Sequence, residues 1–103
     1  EYEVNAFYTA VNYHVFKCDS IKTNGFENYI FYSDEKITSL SLNSEELIFN
    51  DDTLNIKEGE FSFESLIKSP KKVKRLNFRF LFDEIEFNWT FDKRYGVSQL
   101  MNK

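Results

Sequence analysis

The sequence predicts a mainly β domain, an antiparallel meander of roughly seven to eight strands that forms a roll or small barrel with a short C-terminal helix. Three observations carry that prediction. The stretch from Val73 to Asp92 alternates apolar and polar residues twice about Asp83-Glu84. A series of short polar loops upstream keeps apolar residues opposite apolar residues. The aromatic share is 18%, with 12 Phe and 6 Tyr, residue types that favour large half-buried sheet faces.

The last hairpin is the most sharply specified element. Leu76, Phe78, Phe80 and Phe82 alternate with polar residues, as do Ile85, Phe87, Trp89 and Phe91. Successive side chains point to opposite faces of a strand, so each set lines one face. Folding between Asp83 and Glu84 pairs Phe82 with Ile85, Phe80 with Phe87, Phe78 with Trp89 and Leu76 with Phe91. The opposite face then pairs Arg79 with Asn88, Asn77 with Thr90 and Arg75 with Asp92. A slip of one residue would turn one apolar set toward water, so the register is strongly specified.

Earlier elements follow from the same logic, taken in order. Val4, Phe7, Tyr8, Val11, Val15 and Cys18 fall on one stripe at helical spacing, but Val, Tyr, Thr and Phe are poor helix formers. The expectation is therefore a strand from about Tyr13, with residues 3–12 left open. Asn24-Gly25 signals a type I′ hairpin turn that would pair residues 13–23 with 26–33 and set Cys18 opposite Phe31. A strand over 37–42 turns at 43–46, placing Leu42 opposite Leu47 and Leu40 opposite Phe49. A loop at 50–53 would set Phe49 against Leu54 and Leu47 against Ile56. Another at 57–60, with Gly59, would set Ile56 against Phe61 and Leu54 against Phe63. Gly96-Val97-Ser98-Gln99-Leu100-Met101 would start the terminal helix.

Composition bounds the function. A chain of 103 residues with 42% hydrophobic and 29% charged residues forms one domain with its own core, here expected to span 1–103 and to be excised from a longer protein. A net charge of −4 offers no general attraction to phosphate backbones, so binding to double-stranded nucleic acid is not expected. A single cysteine, Cys18, rules out an intrachain disulfide and favours an intracellular setting. His14 is the only histidine, and it has no ligand cluster around it in the sequence, so no metal and no cofactor are expected. The sequence shows no nucleophile elbow, glycine-rich phosphate loop or acid pair in an apolar setting, and no enzyme is expected.

The one local charge anomaly is Ser69-Pro70-Lys71-Lys72-Val73-Lys74-Arg75. It is expected in the loop before the last hairpin, with Pro70 ending the preceding strand. Lys71, Lys72, Lys74 and Arg75 form a candidate basic loop, with the spacing of a short nuclear-import patch. Ser69 before Pro70 is a candidate phosphosite, where a phosphate would invert part of the local charge. A solvated connector whose lysines deter edge pairing is the competing reading.

Ser39-Leu40-Ser41-Leu42 running to Leu47-Ile48-Phe49, then Phe61-Ser62-Phe63-Glu64-Ser65-Leu66-Ile67 and the Phe-rich hairpin, resembles the strand order of a pleckstrin-homology-like (PH or GRAM-type) domain. The resemblance covers about residues 26–101. It departs from that family at Trp89, the only Trp, which stands on a strand rather than in the terminal helix. The absence of a catalytic constellation, a first residue other than Met and a last hairpin that could present an edge to a partner peptide lead to the expectation of a non-catalytic protein-interaction module of a larger intracellular protein. The resemblance implies a weaker alternative, contact with anionic membrane lipid through a basic loop. Small size and acidic balance support another alternative, an inhibitor or immunity-type protein that neutralises a basic toxin or nuclease.

Overall fold

The computed structural model describes residues 2–25, 27–34 and 36–95. Helix α1 (Tyr2–Lys17) comes first, followed by β1 (Ser20–Gly25), β2 (Asn28–Tyr32), β3 (Ile37–Asn43), β4 (Glu46–Phe49), β5 (Asp52–Asn55), β6 (Lys57–Leu66), β7 (Ser69–Phe82) and β8 (Ile85–Asp92). The strands form one antiparallel sheet curled into a half-barrel, in the order β5-β4-β3-β2-β1-β7-β6, with β8 joined to β7. β6 occupies one edge of β7 along most of its length. The other edge of β7 meets β1 at Lys22↔Lys72 and then β8 from Arg75↔Asp92 to Phe82↔Ile85.

The β7–β8 register agrees with the sequence prediction at every pair from Arg75↔Asp92 to Phe82↔Ile85. Asp83 and Glu84 both take positive φ, 51° and 65°, as a two-residue hairpin turn between twisted strands requires. The β3–β4 hairpin also agrees, with Leu40↔Phe49 and Leu42↔Leu47. Ser44 supplies the positive φ at its turn.

Four expectations are corrected. The stripe from Val4 to Val15 is a helix through Lys17, not a strand from Tyr13. Val4, Val11 and Val15 are buried, and Phe7 stacks on Trp89 of β8 at 6.3 Å and meets Phe49 of β4 edge-on at 6.4 Å. Burying such side chains contributes about 1.5–3 kcal/mol each, against a propensity cost of at most about 0.7 kcal/mol per residue, so packing wins.

The Asn24-Gly25 turn does not form. Both residues belong to β1, and Gly25 has no positive φ. Ile21, not Cys18, stands opposite Phe31, with Thr23 opposite Tyr29. The helix consumes the residues that the expected strand needed, and burial of Ile21 and Thr23 then sets the register. Thr23 Oγ1 reinforces it by accepting from Gly25 N at 3.1 Å and donating to Asn28 O at 2.9 Å.

The β4–β5 pairing is tighter than expected, with Leu47↔Leu54 and Phe49↔Asp52 about a turn in which Asn50 has φ 60°. The shift is even, so the apolar face is preserved. No hairpin joins β5 to β6; residues 57–60 begin β6, which pairs with β7. A Cβ at Gly59 would sit 2.7 Å from Ile56 Cδ1 and 3.0 Å from Phe78 Cζ, so a larger residue there requires those side chains to shift. The helix expected over 96–101 lies outside the described residues.

The core is a continuous aromatic chain. Phe61 stacks on Phe78 at 4.2 Å, Phe78 on Phe80 at 5.1 Å, and Trp89 meets Phe80 edge-on at 4.8 Å. Helix α1 packs against β5 and β8, and so covers two of the sheet's margins.

Candidate functional site

The basic segment is not a loop. Ser69, Pro70, Lys71, Lys72, Val73, Lys74 and Arg75 open strand β7, and the preceding turn is Ile67-Lys68. Pro70 is tolerated because it stands near the strand's start, ahead of the pairing to β1 at Lys72. Val73 is fully buried and divides the cations. Lys71 and Lys74 are exposed, and Ser69 is half-buried opposite Leu66.

Arg75 leaves the basic cluster for the acids beside it. Its Nε donates to Asp92 Oδ1 at 2.6 Å and its Nη1 lies 3.7 Å from Glu64 Oε2. The hydrogen bond to Asp92, with the charges of Asp92 and Glu64, raises the guanidinium pKa above its ordinary value. Lys72 instead gains a neighbour that the sequence reading missed, Lys22 on β1. Lys22 Nζ lies 5.3 Å from the Tyr32 ring and Lys72 Nζ 6.0 Å from the Tyr95 ring. No local signal brings Lys22 to this place, since the pairing is long-range.

Beneath that pair is a buried polar seam. Tyr95 OH donates to Val73 O at 2.8 Å and accepts from Ile21 N at 3.3 Å, bridging β7 and β1. Lys93 is buried; its Nζ donates to the carbonyl of Cys18 just past the end of α1, and its N donates to Lys74 O at 2.9 Å. A cation at a helix C-terminus complements the dipole. Cys18 Sγ donates to Val15 O at 3.5 Å, and burial raises the thiol's pKa despite the opposing charge of Lys93. The thiol is held protonated, which suits packing rather than nucleophilic attack.

His14 sits on α1, with Nδ1 3.0 Å from Ala10 O and its ring edge-on to Phe49 at 5.0 Å. Among the described residues no group of three His, Cys, Asp or Glu is placed to hold a metal ion. No helix in them is long and apolar enough to cross a membrane.

The outward face of β6, β7 and β8 is a polar ladder. Arg79 Nη2 donates to Glu60 Oε1 at 2.7 Å, and Thr90 Oγ1 donates to Asn77 Oδ1 at 2.9 Å. With the Glu64–Arg75–Asp92 group, acids on β6 face bases on β7, and β8 supplies Asn88, Thr90 and Asp92. Glu60, Ser62, Asn77, Arg79, Asn88 and Thr90 line a shallow depression of about 430 Å³.

β6 ends the sheet order, so its outer edge has no strand partner among the described residues. Its ladder to β7 is regular from Glu60 to Glu64 and irregular on either side. Along that edge Glu60, Ser62 and Glu64 are exposed on the outward face, while Phe61 is buried and Phe63 partly buried on the inward one. Such an edge is a template for main-chain pairing. No protein-family model, no curated protein and no solved structure matches this chain.

Proposed function

We propose that this chain is a non-catalytic protein-interaction module of a larger intracellular protein, pleckstrin-homology-like in its strand-rich plan, that takes a partner segment as an added strand on β6. The observation that carries this reading is the position of β6. It is the last strand of the sheet order, ten residues long, while α1 packs against the margins at β5 and β8. Unpaired N–H and C=O groups along an edge supply affinity by main-chain hydrogen bonding, and alternate side chains supply specificity. The acidic balance and the glutamates of β6 support a second reading, a small inhibitor that engages a basic protein, and that reading uses the same edge.

The test is a selection of short displayed peptides on the isotopically labelled domain, followed by amide spectra with each selected peptide. The expected result is that the largest shifts fall on residues 60–64 and that their amides gain protection from exchange. Selected peptides that shift α1 or the Lys22–Lys72 surface and leave β6 unmoved would refute the proposal.

A further inference from the structure

The β6 edge is chemically selective, and its ladder specifies what can be added to it. Charges alternate across the outward face: acids at Glu60 and Glu64 on β6, bases at Arg79 and Arg75 on β7. Glu60 gives Oε1 to Arg79 and Glu64 gives Oε2 to Arg75, so among the described residues the second oxygen of each carboxylate is open to another cation. Both side chains are more than half exposed. Directly opposed side chains on paired strands interact, with opposite charges favourable and like charges unfavourable. An added strand therefore gains from bases opposite Glu60 and Glu64. On the inward face its residues opposite Phe61 and Phe63 meet the aromatic margin of the core, where Tyr29 lies 4.9 Å from Phe61 and 5.9 Å from Phe63, centroid to centroid.

We infer that the β6 edge selects an extended partner segment of the pattern basic–apolar–polar–apolar–basic, seated on Glu60, Phe61, Ser62, Phe63 and Glu64. The inference rests on the edge-pairing reading above and adds the partner's chemistry. The irregular ladder on both sides, between Lys57 and Glu60 and after Glu64, limits the regular platform to that stretch. Glu58, with φ 53°, marks the first of these breaks. The same ladder argues against a second copy of this chain as occupant. Antiparallel self-pairing centred on Ser62 would set Glu60 of each copy opposite Glu64 of the other, a like-charge contact at both ends of the platform.

The experiment titrates the domain with Lys-Val-Thr-Val-Lys between Gly-Ser flanks, its inverse Glu-Val-Thr-Val-Glu, and a block-scrambled Lys-Lys-Thr-Val-Val, reading amide shifts of 60–64. The basic alternating peptide is expected to bind at these amides, and the other two to bind more weakly by roughly tenfold or more. Glu60→Gln with Glu64→Gln should erase that preference. Asp51→Asn with Asp52→Asn, which removes equal charge from the exposed β4–β5 corner, should keep it. Raising salt to about 1 M, where the screening length falls to about 3 Å, should weaken the basic peptide and strengthen the inverse peptide, so that the two converge.

Equal binding of all three peptides at 60–64 would overturn the charge selectivity and leave edge pairing standing. Equal weakening by the two double variants would do the same, by showing bulk attraction instead of a local seat. Absence of shifts at 60–64 with every peptide would overturn both readings. Sedimentation showing a dimer that Glu60→Gln with Glu64→Gln tightens would assign the edge to a second copy and also overturn the inference.

Discussion

Three acidic protons are held inside or at the margin of this core: the Cys18 thiol and the phenols of Tyr29 and Tyr95. Burial is the leading cause in each case and raises each pKa above its ordinary value, 9.0 for the thiol and 10.0 for the phenols. A group with a raised folded pKa favours the folded state fully below its unfolded value, and that support drains away as pH climbs through the raised one. The urea midpoint, followed by the fluorescence of Trp89, should therefore be level near neutrality and fall once pH passes 9.0, more steeply beyond 10.0. Cys18→Ala removes the first of these groups. Its midpoint will be lower overall, but the alkaline decline should begin near 10.0, the ordinary value of the two tyrosines, rather than near 9.0. An unchanged onset would show that the thiol titrates alike in both states.

Among the elements, the β7–β8 hairpin is where local pattern and global packing agree most closely. Phe80→Ala should cost about 3–5 kcal/mol, because Phe80 is 1% exposed and packs on Phe78, Phe87 and Trp89. Arg79→Ala, on the other face of the same strand, loses only an exposed pair with Glu60 and should cost under about 1 kcal/mol. Equal losses in urea denaturation would contradict the observed register. This hairpin was legible because eight alternating apolar residues admit one register, and β3–β4 was legible for the same reason. Elsewhere the local signals had rivals. Ile56 and Phe61 match across a short loop as well as they match partners elsewhere, so the departure of β6 to β7 left no trace in the alternation. Gly59 resembles a turn residue in sequence, yet it stands in β6, where a Cβ would crowd Ile56 and Phe78. Helix α1 showed the right stripe in residues of low propensity, and only its seats on Phe49 and Trp89 decide the matter. The basic segment was visible as composition, but its partner Lys22 and the Glu64–Arg75–Asp92 group arise from pairings between distant strands.

At the scale of the whole molecule, the β1–β5 run and the β6–β8 unit are joined by little ladder, the pair Lys22↔Lys72, and by the phenol of Tyr95 between Ile21 and Val73. Tyr95→Phe strands a backbone donor and a backbone acceptor at that junction, which should cost about 1–3 kcal/mol. Hydrogen exchange locates the effect: the Ile21 amide should lose protection while Phe80 and Trp89 keep theirs, whereas uniform loss would mean that the two units open together. The placement of α1 has a further consequence, for the time course of folding during synthesis. Phe7 is made before its stacking partner Trp89, which follows roughly eighty residues later, an interval on the order of 4–16 s at about 5–20 residues per second. Throughout that interval Val4, Phe7, Val11 and Val15 have no β8 to cover them, and a stripe of weak helix formers has little reason to stay helical unaided. Within this domain the helix is therefore made before every strand, yet it completes its packing only when β8, the last of the described strands, has been made.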